Sequence, residues 1–249
     1  MNRLAELIKK WPRGAVLPLS YLKEYGITRE HIKQYKKSGW IENIGYGAYC
    51  LKGDKIEWPG AVFGLQRQRT VHIGGKSALE LKGFGHYLAS DIKTLYLFDT
   101  CKKPLPRWFL SKKWGIKIHF TNLNLFTQNI EASITQIFLN GLLLNIAAPE
   151  RAILEMLYFV PQKQSFEEAM KIMEALTTLR PELLQSLLEN CRSIKAKRLF
   201  LFMAEKHNHF WFSYLNKEKI NLGEGKRRIV DKGILDKKYL ITVPQEHAF

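Results

Sequence analysis

Thr28-Arg29-Glu30-His31-Ile32-Lys33-Gln34-Tyr35-Lys36-Lys37-Ser38-Gly39 runs directly into Trp40-Ile41-Glu42-Asn43-Ile44-Gly45-Tyr46-Gly47-Ala48-Tyr49-Cys50-Leu51, and the periodicity changes at Gly39. In the first half, Thr28 is a suitable N-cap and Gly39 a suitable stop, so the spacing predicts a helix over 29–38. At about 100° per residue, Ile32 and Tyr35 fall on one side with His31 at its edge. Arg29, Lys33, Lys36 and Lys37 fall on the other, accompanied by Glu30. In the second half, two β-prone segments flank Gly45-Tyr46-Gly47, the pattern of a hairpin.

Working back toward the N-terminus, Leu4, Leu7, Ile8 and Trp11 recur at the spacing of a short amphipathic helix, which Pro12 and Gly14 end. A second helix is expected to open at Pro18 and to bury Leu19 and Leu22, with Gly26 as a left-handed C-terminal stop. Two short helices joined by a glycine-containing turn, then a hairpin, make a winged helix-turn-helix. The third helix then occupies the recognition position. The tip residue Tyr46 has two readings that the sequence leaves open: contact with a phosphate backbone or minor groove, or cover for the edge of the domain.

Composition supports a partner of opposite charge. The 249 residues carry 39 Lys and Arg against 23 Asp and Glu, a formal charge of +16. Such an excess repels itself in a compact state, so a polyanion is expected, with nucleic acid ahead of an acidic membrane surface. Cys50, Cys101 and Cys191 are odd in number and far apart, which argues against a disulfide framework and against a zinc site. MNRLAELIKKWPRG has no unbroken apolar stretch, so no signal peptide is expected. The apolar runs around Phe138–Ala148 and Leu199–Met203 fall short of the ~20 residues a membrane span requires. A soluble, cytoplasmic protein without membrane association follows.

Downstream, a helix is expected from Trp58 to Arg69, a short strand at Val71-His72-Ile73, and a helix starting near Ser77. Gly75-Lys76-Ser77 is not a Walker loop, because Thr70 stands where the motif requires glycine. Half-buried strands are expected at Thr94–Phe98 and Ile116–Phe120, and a further one at Leu142–Ile146. Between the first two lie Lys102, Lys103, Arg107, Lys112, Lys113 and Lys117, interleaved with Trp108, Phe109 and Trp114. That mixture suits a nucleic-acid surface. It equally suits a hairpin whose aromatics face the core. Pro149-Glu150-Arg151 reads as a helix opening that could hold a buried Glu150–Arg151 network. Helices follow at 165–179, 182–191 and 194–207, the last basic at its start through Lys195, Lys197 and Arg198. The 217–238 stretch adds eight Lys and Arg against four acids, ahead of a final strand at Tyr239–Val243.

Three stretches together resemble AbiEi-type antitoxins, the DNA-binding halves of AbiE type IV toxin–antitoxin systems. They are Ser38-Gly39-Trp40-Ile41-Glu42-Asn43-Ile44-Gly45-Tyr46-Gly47-Ala48-Tyr49-Cys50-Leu51-Lys52-Gly53, Gly74-Gly75-Lys76-Ser77-Ala78-Leu79-Glu80-Leu81-Lys82-Gly83, and Ala148-Pro149-Glu150-Arg151-Ala152-Ile153-Leu154. Their order and spacing over residues 1 to 160 carry the match. The resemblance implies a repressor of its own operon, acting on an inverted repeat in double-stranded DNA. It also implies a functional pairing with a nucleotidyltransferase-like toxin, neutralised through the C-terminal domain without a stable complex.

An enzyme is the competing class. Asp231 and Asp236-Lys237-Lys238, with Asp99 after a strand, faintly suggest a metal-dependent nuclease. His207 and His209 lack partners at the spacing of a metal site or a triad. The sequence therefore predicts a non-enzymatic regulator of α+β class, with no cofactor and no metal. A winged helix-turn-helix over 1–90 precedes a mixed α/β domain over 91–249 with a helical second half. The candidate DNA-binding residues are Thr28, Arg29, Lys33, Lys36, Lys37 and Tyr46. Arg29 and Lys33 stand nearest base edges, and Lys36 and Lys37 nearest phosphates.

Overall fold

The computed structural model describes residues 3–85 and 92–247; the side chain of Leu4 and the expected domain boundary at 90/91 lie outside what it describes. The chain is of mixed α and β structure and divides into two compact units. One draws on residues 1–72, 93–122 and 136–146, the other on 73–92, 123–135 and 147–249.

In the first unit, helix α1 (Arg3–Lys10) is followed by strand β1 (Leu17–Pro18), helices α2 (Leu19–Glu24) and α3 (Arg29–Lys37), and strands β2 (Ile41–Gly45) and β3 (Ala48–Leu51). Leu7 and Trp11 are buried. The Trp11 indole N–H donates to the Ala15 carbonyl at 3.1 Å, which fixes the chain after α1. Pro18 lies one step outside the expected helix. It is an extended N-cap, and as part of β1 it pairs with Ala48 of β3. Leu22 is buried beneath α2 while Leu19 is only half-buried. Gly26 and Gly39, at φ +72° and +73°, adopt the left-handed conformation that ends α2 and α3. A three-stranded sheet in the order β1-β3-β2 makes the wing.

The same unit continues with helix α4 (Trp58–Gln66), which stops before Arg67 and Arg69 and buries its whole middle. Strand β4 (His72–Ile73) follows. After helix α5 (Gly75–Leu81), which belongs to the second unit, come strand β5 (Thr94–Asp99), helix α6 (Arg107–Leu110) and strand β6 (Lys117–Asn122). Strands β7 (Ile134–Leu139) and β8 (Leu142–Ala147) complete a five-stranded sheet in the order β6-β5-β4-β8-β7. Three expectations are corrected here. β5 is buried along both faces after its first residue rather than alternating. β5 and β6 run parallel, so the segment between them is a crossover and not a hairpin. β7 had no expected counterpart.

The second unit is mainly helical. Helix α5 (Gly75–Leu81) packs on α7 (Pro149–Tyr158), and α7 also meets α9 (Pro181–Asn190) and α10 (Ile194–Lys206). Helix α8 (Phe166–Ala175) is capped by the Ser165 hydroxyl and ends four residues earlier than expected. A small sheet of β9 (Arg227–Arg228), β10 (Ile234–Asp236) and β11 (Ile241–Val243) has β11 at its centre, and α10 packs on β11. The buried Glu150 and Arg151 do not pair with each other. Glu150 accepts from the Arg180 backbone and guanidinium at 2.9 Å, whereas Arg151 donates to Glu155 at 2.7 Å and to Ser133 at 3.1 Å.

Candidate nucleic-acid interface

Helix α3 begins with a capping box. The His31 N–H donates to the Thr28 hydroxyl at 3.3 Å, and the Thr28 N–H donates to His31 Nδ1 at 3.2 Å. This satisfies two of the backbone donors that a helix start leaves open. Ile32 and Tyr35 are buried, and the His31 ring stacks on Tyr35 at 6.0 Å. Arg29, Lys33, Lys36 and Lys37 are exposed. Among the described residues, none of the four is paired with an acid. The one carboxylate among them, Glu30, is held below the ordinary range by its own backbone N–H and the Thr28 hydroxyl.

The wing lies beside the start of this helix. Helix α3 packs on β2, and the Arg29 guanidinium acts against the burial that pushes the Tyr49 hydroxyl of β3 up. At the wing tip the Gly45 N–H donates to the Asn43 side chain at 2.9 Å, within a register shift between Asn43 and Gly45. Gly47 is left-handed at φ +71°. Tyr46 between them is 85% exposed, so it does not cover the domain's edge. Arg29, Tyr46 and Tyr49 thus belong to one surface, with Lys33, Lys36 and Lys37 continuing it along α3.

The 102–117 segment separates its two kinds of residue. Trp108, Phe109 and Trp114 are buried and in mutual ring contact at 5.6 to 6.3 Å. Both indole N–H groups are satisfied internally, Trp108 by Gln68 and Trp114 by the Phe109 carbonyl. Trp108 has no face left for a base, whereas Phe109 and Trp114 show part of their surface to a groove between Lys112 and Lys117. Lys102, Lys103, Arg107, Lys112, Lys113 and Lys117 remain exposed. The sequence reading missed where this segment sits: a Cβ built on Gly45 would lie 2.7 Å from Cβ of Trp108 and 2.8 Å from its Cα. The one available signal was a glycine at a strand end, which marks close backbone approach.

The basic start of α10 is not a nucleic-acid surface. Arg198 is 1% exposed, and its guanidinium donates to the carbonyls of Leu222, Gly223, Gly225 and Leu240 at 2.6 to 3.2 Å. Lys197 is also buried, and burial pulls its ammonium down. Lys195 donates to the carbonyls of Tyr158 and Val160.

The residues of the nuclease reading are otherwise occupied or open to water. The Asp99 carboxylate accepts from Arg69 at 2.5 Å, Thr70 at 3.1 Å and the Cys101 N–H at 2.9 Å. The Asp231 side chain is 88% exposed and paired with Arg228. His209 is buried, stacked on Trp211 and bonded to the Met173 carbonyl at 2.7 Å. Among the described residues, no three His, Cys, Asp or Glu side chains are placed to hold a metal ion, and no helix is long and apolar enough to cross a membrane.

Residues 1–90 match the family model of the transcriptional regulator AbiEi antitoxin N-terminal domain, and residues 92–244 that of the transcriptional regulator, AbiEi antitoxin of type IV toxin–antitoxin systems. The chain belongs to the AbiEi antitoxin family. No match to a curated protein was found. Among solved structures it is similar to the RV2827C protein from Mycobacterium tuberculosis, at a TM-score of 0.53 and 12% identity, over 91% of this chain and 85% of that one. That likeness concerns the fold alone. As an AbiEi antitoxin, the chain is a transcriptional regulator that works opposite a toxin, and α3 with its wing is its candidate DNA-facing surface.

Proposed function

We propose that this AbiEi protein is a non-enzymatic, cytoplasmic repressor that binds double-stranded DNA through α3 and the wing and acts on its own operon. The observation that carries the reading is the capped helix whose four outward cations form no salt bridge among the described residues and which packs beside the wing. Long-range attraction to phosphates supplies most of the affinity and a steep salt dependence. Arg29 and Lys33, in the first half of α3, reach base edges, and arginine to guanine is the commonest such pairing. Lys36 and Lys37 contact phosphates. Thr28, at the helix start, orders the backbone N–H groups that face the DNA, and Tyr46 lies along the backbone or in the minor groove. Two copies occupy an inverted repeat.

The test is binding of the full chain to the DNA upstream of its own gene. Arg29→Ala costs about 1–3 kcal/mol and relaxes sequence preference, whereas Lys36→Ala weakens all sequences alike and lowers the salt slope by about 1. Unchanged operator affinity in Arg29→Ala would overturn the assignment of α3. The toxin is of nucleotidyltransferase type and is neutralised through the C-terminal domain without a lasting complex. An α3 variant that has lost repression therefore still protects cells expressing the toxin, and the two proteins elute separately in gel filtration. Co-elution would refute the second half.

A further inference from the structure

The six cations of the 102–117 segment remain without a role. Four lysines, Lys93, Lys112, Lys113 and Lys117, ring a groove of about 620 Å³ whose surface is otherwise apolar and includes Leu110 and Phe120. Leu110 is 62% exposed at its rim. The Lys117 N–H donates to the Lys93 carbonyl at 3.1 Å, which sets these two residues side by side at the start of parallel strands. Lys112 and Lys113 are adjacent in sequence. Among the described residues, no carboxylate lines the groove. Four like charges around one depression repel one another unless an anion sits among them. The volume lies within the range of about 300–1,000 Å³ typical of sites for organic ligands.

We propose that this groove is an effector site for a small phosphorylated aromatic ligand of the nucleotide class, whose phosphates meet the lysines and whose ring lies on the apolar floor, and that its occupancy weakens DNA binding. The coupling is structural and electrostatic. Helix α6, which carries Leu110, is packed through the Trp108 backbone against Gly45 of the wing. Lys112 follows α6 by two residues. A multiply charged anion at Lys112 therefore sits beside the wing and opposes an approaching phosphate backbone. The regulatory half rests on the DNA-binding reading above, and the binding half does not.

Calorimetric titration of the full chain with metal-free ATP and with inorganic tripolyphosphate tests the site. ATP binds the wild type and Arg29→Ala equally. The Lys112→Ala/Lys117→Ala double variant binds it about tenfold more weakly or worse, a loss of about 1.4 kcal/mol or more. Tripolyphosphate binds less tightly than ATP because it has nothing to place on the floor. Bound ATP lowers the operator affinity of the wild type by about fivefold or more, in the usual range of allosteric coupling, and leaves that of the double variant unmoved. Unchanged ATP affinity in the double variant, or tripolyphosphate binding as tightly as ATP, would overturn the site. Loss of ATP binding in Arg29→Ala would place the anion on α3 and overturn it too. A double variant that loses operator affinity while keeping ATP binding would assign these lysines to flanking DNA. If ATP binds through the lysines yet operator affinity does not move, the regulatory half fails. Failure of the wild type to bind the operator at all defeats the DNA reading while the titration still decides the site.

Discussion

Helix α3 holds Arg29, Lys33, Lys36 and Lys37 in water beside the wing, whereas helix α10 turns Lys197 and Arg198 inward and anchors Lys195 on two backbone carbonyls. In sequence the two helices are similar in setting Lys and Arg among apolar residues. They differ in what lies around them. α3 is a surface helix with a single buried stripe, Ile32 and Tyr35. α10 is buried from Ala196 to Ala204, so its cations have no water to face and must be solvated by protein. Backbone carbonyls of the 222–240 segment take that part for Arg198. A positive total charge therefore measures two things at once, and only cations left in solvent without partners bear on nucleic acid.

The comparison breaks most decisively at Arg198. Its guanidinium holds together four carbonyls that no other side chain is shown to satisfy. Arg198→Ala should destabilise the chain by about 3–5 kcal/mol, the scale of removing one partner from a buried charged network. Lys33→Ala should stay within about 0.5 kcal/mol of wild type, as surface substitutions do. Urea unfolding of both variants measures the contrast, and equal midpoints would show that α10's cations are not structural.

A second test lies at the wing. In Gly45→Ala the added methyl meets the Trp108 backbone as well as its side chain, so the flexible end of a side chain cannot absorb it. An overpacking cost of about 1–3 kcal/mol is expected, together with reduced operator affinity, because the wing must shift from α6. Retained stability and affinity would mean that the crossover does not support the wing.

The Glu150–Arg180 pair ranks third and carries a pH signature. Burial pushes the Glu150 carboxyl up, but hydrogen bonds from the Arg180 guanidinium and backbone N–H outweigh it and hold the group below the ordinary carboxylate range. The folded value is below the unfolded one, so this contribution is fully present above the unfolded value of about 4.3 and fades as pH falls through the folded value. Arg180 is half exposed, which screens the pair, so Glu150→Gln should cost about 1–2 kcal/mol at neutral pH. Its stability should also fall less steeply below pH ~4 than that of the wild type. Parallel acid slopes in the two proteins would remove Glu150 from the account.

These three positions also show what the sequence could and could not reveal. α3 was legible because its signals are local: a Thr cap, a glycine stop and a stripe at helical spacing within a dozen residues. The wing was legible for the same reason, since β2 and β3 pair across a two-residue turn. Partners distant along the chain left no such trace. Arg180 reaches Glu150 across thirty residues, Arg198 reaches Leu240 across forty-two, and β5 pairs with β6 through a crossover that alternation alone reads as a hairpin. The 102–117 segment shows the limit well. Its composition fits both a stacking surface and a core, and only the packing of Trp108 and Trp114 decides between them.

The smallest effect is expected at Thr28, where a local signal can be checked locally. Its hydroxyl accepts the His31 N–H, and the His31 ring returns the bond, so removing the hydroxyl frees one backbone donor and leaves half of the capping box. Thr28→Ala should cost about 1 kcal/mol, and Thr28→Ser close to nothing, because serine keeps the acceptor. The cost falls on α3 itself. Hydrogen exchange should therefore accelerate at the first turn of α3 while α10 keeps its protection, and operator affinity should drop by less than in Arg29→Ala. An exchange rate at His31 that Thr28→Ala does not alter would mean that packing of Ile32 and Tyr35, rather than the cap, holds the recognition helix in register with the wing.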